Sequence, residues 1–342
     1  MSGGVDSAVT AALLLEAGYR VRGVTARFWR EGGDDQEVAS AALAVCQHLG
    51  IAHEVIDLVE VFRQSVVQRF TADYAAGRTP NPCIICNRDL KFGLLLDRAV
   101  EHGERLATGH YARIKLGSKK LRLHAGVDAS KDQSYFLYML GQRQLARMIL
   151  PLGGWRKVDV VAHARALGLP VAERAESQDV CFISDGNYRR FFREHAPNLL
   201  RPGPIQDLDG HRLGEHGGLA LYTVGQREGL GISAGEPLYV LRLDAARNAL
   251  VVGPAAALGQ RALLADDITY VAGAPPPADL PLQAKIRYRA RPVACRLVDQ
   301  GERVARIEFE RPLRDIAPGQ AVVMYNGTQV IGGGTIRCAL DD

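Results

Sequence analysis

The chain opens on Met1-Ser2-Gly3-Gly4-Val5-Asp6-Ser7, followed at once by an apolar helical period. Two glycines between hydroxyl side chains at a helix start let backbone N–H groups converge on an anion, and Ser2 and Ser7 add donors. The lysine of a Walker loop is missing, and the glycine spacing is not that of a dinucleotide fingerprint. A tight glycine turn into a helix cap would look the same, so the loop alone leaves both readings open. Further on, "RTPNPCIICNRDLKFG" sets Cys83 and Cys86 in a CxxC behind two prolines that fix the local backbone. A lone CxxC is more often structural zinc or an incidental pair than a catalytic site; zinc wants four ligands, and no second CxxC is present. Cys181, in "ESQDVCFI", reads by itself as a buried core cysteine.

Three further stretches carry polar chemistry. In "ATGHYAR", Gly109 at a strand end suits close approach to a nucleotide, while His110 fits a packing role as readily as a ligand contact. In "KDQSYFLY", Lys131, Asp132 and Gln133 form a polar loop that could touch nucleic acid. "QAKIRYRAR" sets Lys285, Arg287, Arg289 and Arg291 at alternate positions, so a strand there would present four positive charges on one face and Ala284, Ile286 and Tyr288 on the other. Such a face could track phosphates. It could equally be the solvated outside of a barrel.

The elements that must position these residues follow from patterning. At 342 residues the length suggests two or three units. The first thirty residues hold neither a signal-type run nor a membrane-length apolar span, which points to the cytoplasm and away from a membrane. A net charge of +4 permits a polyanionic partner without arguing for one, and six cysteines in so long a chain are no disulfide framework. From Asp6 to about His110, helical periods alternate with short β-rich runs, the pattern of a doubly wound parallel sheet of α/β class. Helices are expected over 7–17, 36–49, 61–75 and 88–101, and strands in "YRVRGVTARFW", "HEVIDL" and "RLATGHYA". "ARIKLGSKKLRLHAG" reads as a hairpin, 131–196 as a second helical stretch, and "RPGPI" as a boundary. Beyond it only short β runs recur. The expected units are 1–200, a central β module over 201–262, and a C-terminal β-barrel over 263–342.

SGGxDS resembles the pyrophosphate loop (PP-loop) of ATP pyrophosphatases, which belong to the adenine nucleotide alpha-hydrolase fold type. Taken in order over nearly the whole chain, "MSGGVDS", "RTPNPCIICNRDLKFG", "ATGHYAR", "KDQSYFL", "ESQDVCFI", "YTVGQREGLGI", "APGQAVVMY" and "IGGGTI" resemble the tRNA-specific 2-thiouridylase family. The resemblance implies ATP-dependent replacement of O2 by sulfur in the wobble uridine of tRNAs for Lys, Glu and Gln, with ATP and Mg2+ as cofactors. It implies that Ser2, Gly3, Gly4, Val5, Asp6, Ser7, Ala26 and Gly109 line the ATP site. Asn81, Pro82 and Cys83 would lie against the flipped base, and His110, Lys131, Asp132, Gln133, Arg287, Tyr288 and Gln320 would contact tRNA. Cys86 takes the role of nucleophile, and Cys181 that of the cysteine accepting a persulfide from a sulfur-relay protein or cysteine desulfurase. Both roles need an accessible thiol of lowered pKa, which a loop over a phosphate site can provide.

Three departures from the family pattern matter. Many members carry aspartate where this chain has Cys83. With Cys86 and Cys181 that makes three thiols, which could hold three irons of a [4Fe-4S] cluster and leave the fourth open to hydrosulfide, with free sulfide as donor. Leu221 stands where a histidine is usual before "YTVGQR". Members also carry a short apolar strand ahead of the loop, so a chain beginning at the loop points to a late start or a truncation and to a loosely mounted loop. Two rivals remain: a small-molecule PP-loop synthetase, which shares the loop but leaves the cysteine trio unexplained, and a non-catalytic tRNA-binding protein. Cys46, Cys295 and Cys338 read as ordinary thiols.

Overall fold

The computed structural model describes residues 1–30, 36–99, 103–174, 180–183 and 185–340. α1 (Val5–Glu16) leads to β1 (Arg22–Arg27), α2 (Gln36–His48) and β2 (Ala52–Asp57). Gly18, with φ of 80°, ends α1 in the left-handed region that favours glycine. β1 and β2 pair in parallel from Arg22↔Ala52 to Arg27↔Asp57, the outcome of a helical crossover between them. Alternate β1 residues Gly23 and Thr25 are buried. Two long helical runs follow, each interrupted by π-helix. The first is α3 (Val59–Phe62), a π stretch over Arg63–Val67, and α4 (Gln68–Ala75); the second is α5 (Pro82–Ile85), a π stretch over Cys86–Leu95, and α6 (Leu96–Ala99).

The expected strand "RLATGHYA" contributes only β3 (Leu106–Ala107) to a ladder; the chain then turns into the hairpin β4 (Ala112–Leu116) and β5 (Leu121–Ala125). β3 pairs in parallel with β6 (Met148–Ile149), so the parallel ladder stands as two pairs, β1–β2 and β3–β6. Beside β1, the Met1 amino group donates to the Val24 carbonyl, and burial lowers its pKa to about 6. Among the described residues, the stretch 131–196 holds three separate α-helices: α7 (Gln142–Ala146), α8 (Lys157–Ala166) and α9 (Tyr188–His195). Pro151, Gly153, Gly154 and Pro170 punctuate it. α8 packs Val160 and Ala164 into the core that also holds Val5, Ala8 and Val9 of α1.

Past residue 200 the chain is β. β7 (Gly203–Gln206), β8 (Arg212–His216), β9 (Leu238–Asp244) and β10 (Ala249–Pro254) make a sheet in the order β8-β7-β10-β9. β11 (Gln260–Tyr270), β12 (Leu282–Lys285), β13 (Val293–Gly301), β14 (Val304–Leu313), β15 (Ala321–Asn326) and β16 (Gln329–Leu340) run in the order β11-β14-β13-β12-β15-β16 and close through β11–β16. Closure removes the sheet edges that would otherwise invite pairing. The β4–β5 hairpin joins this barrel, with Gln329↔His124 and Val330↔Leu123 in register. One hydrophobic core therefore takes Ala112, Leu123, Tyr135 and Leu137 from the first part and Val323, Tyr325 and Val330 from the barrel.

Candidate active site

The opening loop passes through Gly3, whose φ is 67°, into α1, which is capped by Gly4 with no side-chain bond. The first-turn N–H groups are thus not claimed by a capping side chain. Ser7 Oγ donates to the Gly4 carbonyl at 2.9 Å, and the Ser2 N–H and Oγ each stand 3.1 Å from Ser7 Oγ. Ala26 lies near the carboxyl end of β1, where α/β sheets bind ligands. Gly109 packs on the loop itself: a Cβ there would lie 2.9 Å from both the carbonyl carbon and the Cβ of Asp6.

Asp6 is held from two sides. Tyr111 Oη donates to Asp6 Oδ1 at 2.8 Å, and Lys157 Nζ donates to Oδ1 and Oδ2 at 2.7 and 2.8 Å. Arg174 reaches the same loop, with Nη1 donating to the Gly3 carbonyl at 3.2 Å and Nη2 to Glu37 Oε1 at 2.8 Å. Sequence reasoning missed all three. Tyr111 sits inside a quoted motif, but Lys157 is 151 positions away and belongs to none.

Asn81 caps α5 by accepting the Cys83 N–H on Oδ1 at 3.2 Å, with Pro82 at the first helical position. Cys83 and Cys181 are exposed and Cys86 is buried, all three as free thiols. The core-cysteine reading of Cys181 is corrected: its neighbours Phe182 and Ile183 carry the burial, in the same cluster as Cys86. The expectation of lowered thiol pKa values is corrected as well. Burial, with smaller contributions from Cys181 and Cys83, pushes Cys86 up to about 12; Cys83 is raised by desolvation and by Cys181. Lys91 is the cation that opposes both shifts. It sits five residues beyond Cys86 within the π stretch, a helix type frequent at functional sites.

His110 bonds Thr108 through Nδ1 at 2.9 Å and packs its ring 5.5 Å from that of Phe92. Burial, then Lys91, lowers its pKa to about 3, so the imidazole is neutral. Gly109 abuts Asp6 of the opening loop, the ring of His110 beside it packs on Phe92, and the charge of Lys91 bears on both His110 and Cys86.

Of the residues expected at tRNA, several are engaged inside the fold. Asp132 is buried, accepting from the Gly126 and Ser134 N–H groups and from Ser134 Oγ at 3.0 Å each. Gln133 Oε1 accepts the Tyr111 N–H at 3.0 Å, and Lys131 beside it is half-buried. The four-charge strand is corrected. β12 ends at Lys285, and the chain bends through 286–290, so alternation there does not make a face. Arg287 pairs with Asp315 at 2.6 Å, and Tyr288 packs 4.4 Å from Phe136.

Gln320 belongs to a clamp. Its Nε2 donates to the Thr79 carbonyl at 2.8 Å, while the Thr79 N–H donates to the Pro318 carbonyl at 2.7 Å. A barrel turn thus grips the strand of chain that leads into Asn81, Pro82 and Cys83. Replacing Gln320 with alanine is expected to slow single-turnover chemistry at the Cys83–Cys86 segment about tenfold or more by loosening that segment. Thermal unfolding should move by only the equivalent of about 1 kcal/mol.

Comparison with known proteins bears on the whole chain. Residues 1–185 match the tRNA methyl transferase HUP domain, 189–254 the tRNA methyl transferase PRC-barrel domain, and 260–336 the aminomethyltransferase beta-barrel domain. Curated relatives include tRNA-specific 2-thiouridylase MnmA of Roseiflexus castenholzii, 48% identical over 98% of this chain and 97% of the relative. Proteins of the same name from Chloroflexus aurantiacus and Pelotomaculum thermopropionicum are 49% and 45% identical, over 98% and 100% of this chain and 96% and 97% of the relatives.

Proposed function

The chain belongs to the tRNA-specific 2-thiouridylase family, and from that membership we propose that it thiolates C2 of the wobble uridine in tRNAs for Lys, Glu and Gln. It is a tRNA-uridine sulfurtransferase that uses ATP. The observation that supports this reading best is that one unit sets Gly109 against Asp6 of the opening loop and packs Cys86 with Phe182 and Ile183, the residues that follow Cys181, because activation and sulfur delivery must meet at one carbon. Residues 1–200 act as the catalytic unit, 201–262 as the central module and 263–342 as the tRNA-binding barrel.

The loop amides of Ser2 to Ser7 and the two hydroxyls hold the triphosphate, Ala26 and Gly109 border the nucleotide, and Mg2+ accompanies it. Asn81, Pro82 and Cys83 receive the base; His110, Lys131, Asp132, Gln133, Arg287, Tyr288 and Gln320 frame the tRNA. The uridine O2 attacks the α-phosphorus and pyrophosphate leaves. Sulfur then adds to C2, the C2–O bond breaks, and AMP carries away the oxygen.

Cys83, Cys86 and Cys181 would hold the iron-sulfur cluster. The donor set fits: three free thiols influence one another's ionisation, and thiolate is the usual ligand of such clusters. Among the described residues the one trio with ligand atoms all within 4.8 Å is half-buried Asp207 with exposed Asp209 and His211, so the three sulfurs do not all lie that close together. A thiol raised by burial is also one that a bound metal would deprotonate outright. When bound, the cluster supplies an open iron for hydrosulfide; without it, Cys86 and Cys181 serve as nucleophile and persulfide carrier fed by a relay partner. The protein works in the cytoplasm, and no helix of the described residues is long and apolar enough to cross a membrane.

Nucleoside analysis of tRNA from a deletion strain tests the reading. Loss of 2-thiouridine, restored by this chain, is expected. Unchanged 2-thiouridine would favour a small-molecule synthetase, and absence of tRNA-dependent AMP release from the purified protein would favour a plain tRNA binder.

A further inference from the structure

The loop that is to hold ATP carries no cation of its own, and its one charged residue, Asp6, is negative. A triphosphate brought beside that carboxylate meets like charge, and one accompanying Mg2+ leaves the phosphates net negative. We propose that Lys157 supplies the protein's own cation there: a substrate-contacting lysine, from α8, that binds the β- and γ-phosphates of ATP and stays with pyrophosphate after adenylation. The proposal rests on the ATP-dependent reading above and adds a residue to it.

Placement carries the argument. Lys157 is the first residue of α8, and its backbone N–H donates to Asp128 Oδ2 at 3.0 Å, which fixes the helix start. Behind it, Val160 and Ala164 are fully buried in the core shared with α1, so the two helix starts cannot drift apart. The Lys157 side chain is only 16% exposed, and its ammonium lies 5.9 Å from the Tyr111 ring centroid. From there Nζ bridges both oxygens of Asp6, which sits in the first turn of α1, where the helix dipole also favours an anion. A phosphate oxygen arriving at that helix start replaces one carboxylate oxygen on Nζ without moving either helix. The other cation at the loop, Arg174, holds the Gly3 carbonyl and Glu37 and so shapes the backbone.

A purely structural α1–α8 ion pair predicts something different. It would support the loop for every nucleotide alike, whereas a phosphate-binding lysine distinguishes ATP and pyrophosphate from AMP. Titration calorimetry of the full chain with ATP, pyrophosphate and AMP separates the two. Lys157→Met is expected to weaken ATP and pyrophosphate about tenfold to a hundredfold, the worth of one charge-assisted hydrogen bond, and AMP less than about twofold. Equal weakening of ATP and AMP, or no change in either, overturns the proposal. Should Lys157→Met fail to fold, Asp6→Asn with Lys157→Met is compared with Asp6→Asn alone, since no unpaired carboxylate is then left, and the same ATP-to-AMP contrast decides. Failure of the unsubstituted protein to bind ATP would instead sink the thiouridylase reading.

Discussion

Cys86→Ser is expected to lower 2-thiouridine formation by about three orders of magnitude or more while leaving ATP affinity unchanged, because every route for sulfur proposed here passes through this thiol. Serine matches the shape of cysteine, so the buried cluster around Cys86, with Phe182, Ile183 and Leu90, stays filled. Folding should therefore survive, and the loss reports chemistry. Cys83 then decides the route. A variant Cys83→Ala, purified without oxygen, should lose most of the roughly four irons per chain that the cluster reading requires, and its thiolation should fall with the iron. If the parent protein holds no iron even after reconstitution, and Cys83→Ala keeps its activity, sulfur travels as a persulfide from Cys181 and Cys83 is a bystander. The raised thiol pKa values bear on either outcome. With Cys86 near 12 in the free protein, this thiol is protonated at neutral pH. A resting enzyme should thus react slowly with alkylating reagents until a metal, or a substrate that rearranges the loop, lowers that value.

The course of the chain was legible where local rules and packing agreed. The SGGVDS stretch announces a helix, read from residue 7 and found from Val5, and Gly18 closes that helix as patterning requires. "ARIKLGSKKLRLHAG" is the hairpin it reads as, although no periodicity could say that it would pair with a strand two hundred residues later. The 88–101 helix was anticipated. Its π stretch from Cys86 to Leu95 was not, since a change of ladder from i+4 to i+5 leaves no mark in apolar spacing. "QAKIRYRAR" shows the converse: alternation of charge is necessary for a one-sided strand, yet bends at 286–290 carry the same letters, and Arg287 is spent on Asp315. Cys181 misled because its apolar neighbours dominate a short window. Lys157 and the Gln320 clamp were invisible in principle, for they join segments 151 and 241 positions apart through two hydrogen bonds each. What the motifs marked is the chemistry; what they left out is the second layer that holds it.

That second layer makes Gly109 a sensitive position beside the opening loop. Its φ lies outside the left-handed region, so alanine there suffers no backbone strain, and only space is at issue. The added Cβ would meet the carbonyl carbon and Cβ of Asp6 at 2.9 Å and its carbonyl oxygen at 3.1 Å. These are backbone and near-backbone atoms, and α1 cannot yield, because Ala8 and Val9 just behind are fully buried against α8. The segment bearing Gly109 is no freer, since Tyr111 is tied to both Asp6 and Gln133. Gly109→Ala must therefore shift the start of α1 or the 108–111 segment, costing about 1–3 kcal/mol of stability. The same shift displaces the loop amides proposed to hold the phosphates, so ATP affinity should fall about tenfold or more, the equivalent of about 1.4 kcal/mol. Gly154→Ala supplies the control, as nothing lies within 4 Å of its Cβ and its stability should change by less than about 0.5 kcal/mol. Denaturant midpoints and calorimetric ATP affinities of the two variants measure this directly. Equal behaviour of the two would mean that Gly109 does not abut the loop and that the ATP site is built elsewhere.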